Sequence, residues 1–351
     1  MYENKMSYRG KKVYVGIDVH KKTYSVTAIC RGDVIRRDTM NASAEGLCTY
    51  LKNRYSGAQI QAVYEAGFSG FVLHRDLLKC GVHNIVINPA SIKVAANDRV
   101  KTDRRDSRKL AEQLSKNDLQ GIYVPTEQEE AKRVLTRTRE QIVRSRARVA
   151  HQIKSKLHYF GMIKAEDETV VSKSYLEKVL TWEMTPELKM GLTYLVEQWR
   201  LLERQLKEIL QKIKEQAKAD PFLEKIYRSV PGVGPLISRT FANELGNLNE
   251  RFKSEKSLFQ FTGLTPSEDS SGETVKRGHI SRQGSSRLRY YLTEAAWSAI
   301  AVDDALKEAF DRIAKTRGKK RAIVAIARKL VGRIRACFRY NQTYQLGVCA
   351  A

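Results

Sequence analysis

Three short runs rich in β-branched and aromatic residues follow one another closely: VYVGIDV at 13–19, YSVTAIC at 24–30 and VIRRDTM at 34–40. The last two are separated by RGD, a turn sequence, so the opening reads as a three-stranded antiparallel meander. The rhythm then changes. Residues 41–55 signal a helix, with Asn41 or Ser43 as N-cap and Leu47 and Leu51 on one face. A strand at 59–66, a helix in GFSGFVLHRDLLKCG, a strand at 84–89 and a helix at 101–114 follow. A meander continued by strand–helix units demands an α/β layer with a mixed central sheet, expected here over 11–125.

The remainder reads as all-α. From 127 to 160 the pattern is helical, and between Ala131 and Lys156 nine Lys and Arg face a single acid, Glu140. Leu188, Leu192, Leu195, Trp199, Leu202, Leu206, Ile209 and Ile213 alternate steps of four and three, the a/d seam of a coiled coil. A helical coiled-coil arm is therefore expected over 126–220. Its seam either joins two subunits or packs within one chain. Asp220-Pro221 ends it, and a compact helical domain is expected over 221–345. There VPGVGPLISRTFANELG (230–246) has the form of a helix-hairpin-helix, whose turn would offer Gly232 and Gly234 backbone N–H groups to a phosphate.

Charge narrows the function. The chain carries 63 Lys and Arg against 39 Asp and Glu, a formal net charge of +24. Such an excess favours a polyanion as partner, most often nucleic acid. The basic residues spread over the whole chain rather than one amphipathic anchor, and no apolar run reaches the length of a membrane span, so no membrane partner is expected. The five cysteines (Cys30, Cys48, Cys80, Cys337, Cys349) show neither a CxxC pair nor zinc spacing and read as reduced thiols of a cytoplasmic protein.

Against this background a few acids stand out. Asp103 and Asp106, three apart in KTDRRDSRKLAEQL, share one face of a helix start. Capping and local ion pairs would explain them alone. Asp18 ends the first strand and Glu65 the fourth, however, and in a ribonuclease H-like sheet those strands are neighbours with the following helix packed across them. Converging carboxylates repel unless a cation sits between them. Two Mg²⁺ ions about 4 Å apart would relieve this, activating the attacking oxygen and stabilising the leaving one in phosphoryl transfer. The adjoining Arg104 and Arg105 would then hold phosphates.

GIDVHKKTYSV, VYEAGFSG, INPASIKVAANDRVKTDRRDSRKLAEQL, VPGVGPLISRTFANELG and GLTPSEDSSGETVKRGHISRQGSSRLRYYLTEAA occur in this order. Together they resemble the DEDD transposases of bacterial insertion sequences, the insertion-sequence 110 class that includes Piv and MooV invertases. The resemblance implies a RuvC-like (ribonuclease H-like) catalytic domain with Asp18, Glu65, Asp103 and Asp106 as its Mg²⁺-binding tetrad. It also implies a C-terminal transposase domain whose Ser-Gly serine falls on Ser271 of Ser270-Ser271-Gly272. By resemblance that hydroxyl attacks the scissile phosphate and holds it as a phosphoserine while strands exchange. Donor and target DNA, an element-encoded noncoding bridge RNA and a homo-oligomer, dimer to tetramer, are the implied partners, in a bacterial cytoplasm and at the nucleoid when active.

Chemistry alone leaves the serine open. A hydroxyl needs a proton acceptor and a cationic pocket, which Lys276, Arg277, Arg282, Arg287 and Arg289 could furnish. Loop and N-cap duty is the ordinary role of Ser270, Ser271, Ser285 and Ser286. Glu273 stands where the family favours a second glycine, which leaves Ser270 beside Ser271 as nucleophile. Two other functions use the same residues: a junction-resolving nuclease with water as nucleophile, and a non-catalytic nucleic-acid scaffold.

Overall fold

The computed structural model describes residues 7–92, 103–164, 166, 170–268 and 277–347. The chain forms two compact units, 1–124 and 125–351. No helix among the described residues is long and apolar enough to cross a membrane.

In the first unit, β1 (Lys12–Val19), β2 (Thr23–Cys30) and β3 (Asp33–Asn41) form the meander. α1 (Ala44–Arg54), β4 (Gln59–Glu65), α2 (Val72–Lys79), β5 (His83–Ile87) and α3 (Asp103–Ser115) follow. The sheet order is β3-β2-β1-β4-β5, antiparallel across β3, β2 and β1 and parallel across β1, β4 and β5. This mixed order fits a ribonuclease H-like domain. Ser43 caps α1 by accepting from the Gly46 N–H, which fixes the choice between the two candidate caps.

Alternation along the strands divides the core. Val13, Val15 and Ile17 of β1 point to the face covered by α1 and α2, with Leu47, Leu51, Leu73 and Leu77 against them. The other face carries Val63 and Ile87, which pack under Leu110 and Leu114 of α3. Cys48 and Cys80 are joined as a disulfide, their Cα atoms 6.2 Å apart. This corrects the expectation that both are thiols. Helices α1 and α2 lie on the same sheet face and bring together residues whose wide separation in sequence carries no pairing signal. Cys30 and Cys337 are free and buried.

The second unit begins with two 33-residue helices, α4 (Glu127–Tyr159) and α6 (Pro186–Lys218), linked through the short α5 (Lys173–Val179). A Thr126–Glu129 capping box starts α4, and Thr185 with Pro186 starts α6. The two helices run antiparallel. Leu188, Leu192, Val196 and Trp199 bury against Val149, Ile153 and Leu157 of the same chain. Of the two outcomes left open for the seam, this part of it closes within the chain.

The rest is α7 (Pro221–Arg228), α8 (Pro235–Leu245), α9 (Leu248–Arg251), α10 (Glu255–Thr262), the small hairpin β6 (Pro266–Glu268) and β7 (Arg277–Ile280), α11 (Ser286–Ala299), α12 (Asp304–Arg317) and α13 (Lys319–Arg339). Its core gathers Tyr227, Phe241, Leu258, Leu288, Leu292, Ile326 and Leu330 around α13. The turn between α7 and α8 needs glycine at 232. Its φ is +77°, and a Cβ there would stand 2.6 Å from the Ser298 Cβ.

Candidate functional site

Strand pairing carries Asp18 and Glu65 together. The parallel register aligns Ile17 with Tyr64, so the next residues, Asp18 and Glu65, stand side by side at the C-terminal ends of adjacent strands. Neighbouring strands are about 4.8 Å apart. Glu65 has the parity of Val63, and Asp18 that of Gly16, so both acids lie on the face that α3 covers. This is where an α/β sheet of this kind offers side chains to a ligand.

Helix α3 is seated there by backbone contact. A Cβ on Gly16 would lie 2.0 Å from the Ser107 carbonyl oxygen and 2.6 Å from the Ala111 nitrogen, so only glycine allows the helix this close. Beside it the buried hydroxyls of Thr27 and Ser107 are hydrogen-bonded at 2.9 Å. Asp106, immediately before Ser107, is largely buried, with the Lys109 ammonium 3.8 Å from its carboxylate. Asp103 opens α3, so the i, i+3 spacing places both acids in its first turn. The side chains of Asp103 and Arg104 lie outside the described residues, and Arg105 is exposed. Among the described residues no three His, Cys, Asp or Glu side chains form a group able to hold a metal ion. The donor chemistry nonetheless suits a hard cation, since these acids offer only carboxylate oxygens.

His20 adds a contact that the sequence reading left out. Its Nε2 is 3.1 Å from Asp18 Oδ2, across the bend between β1 and β2. The signal was available: a histidine two residues beyond a strand-end acid lies within reach of it.

In the second unit, Gly232 and Gly234 are exposed at the α7–α8 turn, and Gly234 forms the N-terminal boundary of α8 without a side-chain cap. Ser270, Ser271 and Lys276, with the Arg277 side chain, lie outside the described residues. Arg282 sits at φ +56° between β7 and α11. Arg289 donates to the Thr262 carbonyl at 3.4 Å, and burial together with the nearby Arg282 charge lowers its pKa.

Arg287 is engaged inside the protein. It donates to Glu140 at 2.6 Å and to Glu244 at 3.3 Å. Glu244 also receives two hydrogen bonds from Arg137, each 2.8 Å. Burial pushes the Glu244 carboxyl up, but the Arg137 hydrogen bonds and the charges of Arg137, Arg133 and Arg287 outweigh it and leave the pKa lowered. Nearby, Arg133 donates to the Asn243 carbonyl at 3.0 Å and the Asn243 amide to the Lys132 carbonyl at 2.8 Å. Several arginines that look like a phosphate-binding face in sequence thus tie α4, α8 and α11 together.

Comparison with known proteins finds two family models along the chain. A transposase family model of the DEDD, IS110 type matches residues 15–161, and the model for the transposase IS116/IS110/IS902 family matches 224–311. A putative transposase, y4qE, of Sinorhizobium fredii is 29% identical, over 92% of this chain and 87% of its own. The transposase for insertion sequence element IS1533 of Leptospira borgpetersenii is 27% identical, over 95% and 97%. That for IS1111A of Coxiella burnetii is 25% identical, over 78% and 76%. With matches in both units, the chain belongs to the IS110 class of DEDD transposases and is a DNA transposase.

Proposed function

We propose that the protein is an RNA-guided DNA recombinase that mobilises its own insertion sequence by Mg²⁺-dependent strand cleavage and exchange. The observation that carries this reading is the in-register pair Asp18 and Glu65, at the ends of parallel strands, with α3 seated over the same face. Two adjacent carboxylates are a costly arrangement for a fold and a useful one for a cation. In the proposal Asp103 joins Asp18 and Glu65 as a ligand, and Asp106 completes the tetrad one turn along α3. Bound there, Mg²⁺ supplies charge neutralisation and acidifies an oxygen nucleophile.

Ser271 is the proposed nucleophile, on the strength of the family resemblance. Its oxygen bonds to phosphorus, the phosphorus–oxygen bond to the sugar breaks, and the leaving hydroxyl takes up a proton. Strand exchange reverses the same step with a new hydroxyl. The proposal divides the second unit into an arm, 126–220, and a transposase domain, 221–345. There α7 and α8 act as a helix-hairpin-helix, with Gly232 and Gly234 against the DNA backbone. A noncoding RNA of the element would select donor and target, and the arm would assist assembly of the oligomer.

The test is covalent trapping. Protein, flanking RNA of the element, Mg²⁺ and labelled donor and target DNA are mixed and resolved under denaturing conditions, in parallel with Ser271→Ala and Asp103→Asn. A protein–DNA adduct that disappears in both variants is expected. Cut DNA without an adduct, insensitive to Ser271, would replace this reading with a nuclease that uses water.

A further inference from the structure

On the α3 side of the sheet, the two strands beyond β1 carry a row of polar side chains. Cross-strand pairing sets Asp18 opposite Ser25 and Ser25 opposite Thr39. One step along, Gly16 faces Thr27 and Thr27 faces Arg37. Directly opposed residues in antiparallel strands point to the same side, so Ser25, Thr27, Arg37 and Thr39 share the face of Asp18. Together with Ser107 of α3 they line a cleft of about 210 Å³.

Two features mark this cleft as built for a ligand. Ser25 is only 5% exposed, yet its hydroxyl has no hydrogen-bond partner among the described residues. What little of it is exposed faces the cleft, so the hydroxyl is not sealed in the core and stays available to donate to a ligand there. Arg37 likewise has no carboxylate partner among the described residues, whereas its neighbour Arg36 is bound to Asp38 at 2.8 Å. Asp38 also borders the cleft, but its carboxylate is held by Tyr50 and Arg36. It belongs to the opposite face, pairing with the inward Val26. The cleft therefore offers hydroxyl donors and one uncompensated guanidinium, which is the chemistry of an anion site.

We infer that this cleft binds a backbone phosphate of the nucleic-acid strand, beside the scissile phosphate and one strand over from Asp18. Ser25 and Thr39 donate hydroxyl hydrogen bonds, and Arg37 supplies the charge. The inference rests on the carboxylates of the proposed function being the cleavage site, because only then does the row from Asp18 to Thr39 follow a bound strand.

Binding is measured with the full chain, separately for a labelled DNA duplex of the element's end and for an RNA of the same sequence. Ca²⁺ replaces Mg²⁺, and salt is varied. Arg37→Ala is expected to weaken binding to one of them roughly fivefold at low salt and to lower the salt slope by about one. Ser25→Ala is expected to weaken the same ligand with an unchanged slope. Arg36→Ala removes an equal charge already compensated by Asp38 and should leave the slope unaltered. DNA carrying a single methylphosphonate, stepped along the strand, should erase the Arg37→Ala effect at one position when DNA is the ligand. Equal weakening by Arg36→Ala and Arg37→Ala, or no effect of Arg37→Ala on either nucleic acid, would overturn the site. Asp106→Asn in the cleavage assay reports separately on the carboxylates: if it cuts normally while Arg37 still matters for binding, it is the proposed function that fails.

Discussion

Gly16 lies directly beneath Ser107: a methyl group on its Cα would stand 2.0 Å from the Ser107 carbonyl oxygen. The obstructing atom is helix backbone, so no rotamer change relieves the clash. Gly16→Ala must lift α3 from the sheet, loosening Leu110 and Leu114 from Val63 and Ile87. We expect a cost of about 1–3 kcal/mol in urea denaturation. DNA cleavage should fall much further, because Asp106 moves with the helix. An unchanged midpoint would mean that α3 does not rest on this strand.

Asp18 and Glu65 should report metal binding through stability as well as activity. A ligand that binds the folded state at ten times its Kd stabilises by about 1.4 kcal/mol. Mg²⁺ should therefore raise the melting temperature of the wild-type protein, and Glu65→Gln should abolish both the rise and cleavage. A Glu65→Gln protein that still gains stability from Mg²⁺ would place the ion elsewhere.

Glu244 sets a pH dependence on the second unit. Its carboxyl is lowered from the ordinary 4.5 through the Arg137, Arg133 and Arg287 interactions that overcome burial. A depressed carboxyl stabilises the fold above the unfolded pKa, and that contribution is lost as pH falls through the folded value. The stability gap between wild type and Glu244→Gln should hold constant from neutral pH down to about 5 and narrow below 4.5. At neutral pH the variant leaves three arginines short of a charge, a loss of about 3 kcal/mol for a buried pair. A gap independent of pH would show that folding leaves the Glu244 pKa unshifted.

Much of the first unit was legible because strand signals are local. β1, β2 and β3 are apolar alternating runs bounded by turns, and Asp18 and Glu65 close their strands where the pattern ends. Contacts across long sequence distances left no such mark. Arg287 reads in sequence as part of a cationic loop, whereas its partners Glu140 and Glu244 are 147 and 43 residues away. Gly16 did carry a signal, since an interior strand glycine marks close backbone approach, but it was overshadowed by Asp18 two residues on. The short β6–β7 hairpin, flanking a Gly- and Ser-rich stretch, was hidden by its composition.

Trp199 tests where the long helical seam closes. It is buried against the end of α4 within the same chain, with the Arg146 guanidinium 5.8 Å from its ring centre and Arg146 paired to Glu203. Truncation to alanine empties a large volume between α4 and α6, so the loss should be about 3–5 kcal/mol. Because the partner residues Val149 and Ile153 belong to the same polypeptide, that loss should be equal in dilute and concentrated protein. Thermal unfolding at two protein concentrations, for wild type and Trp199→Ala, makes the comparison. A loss that appears only in concentrated samples would transfer this part of the seam to a subunit interface.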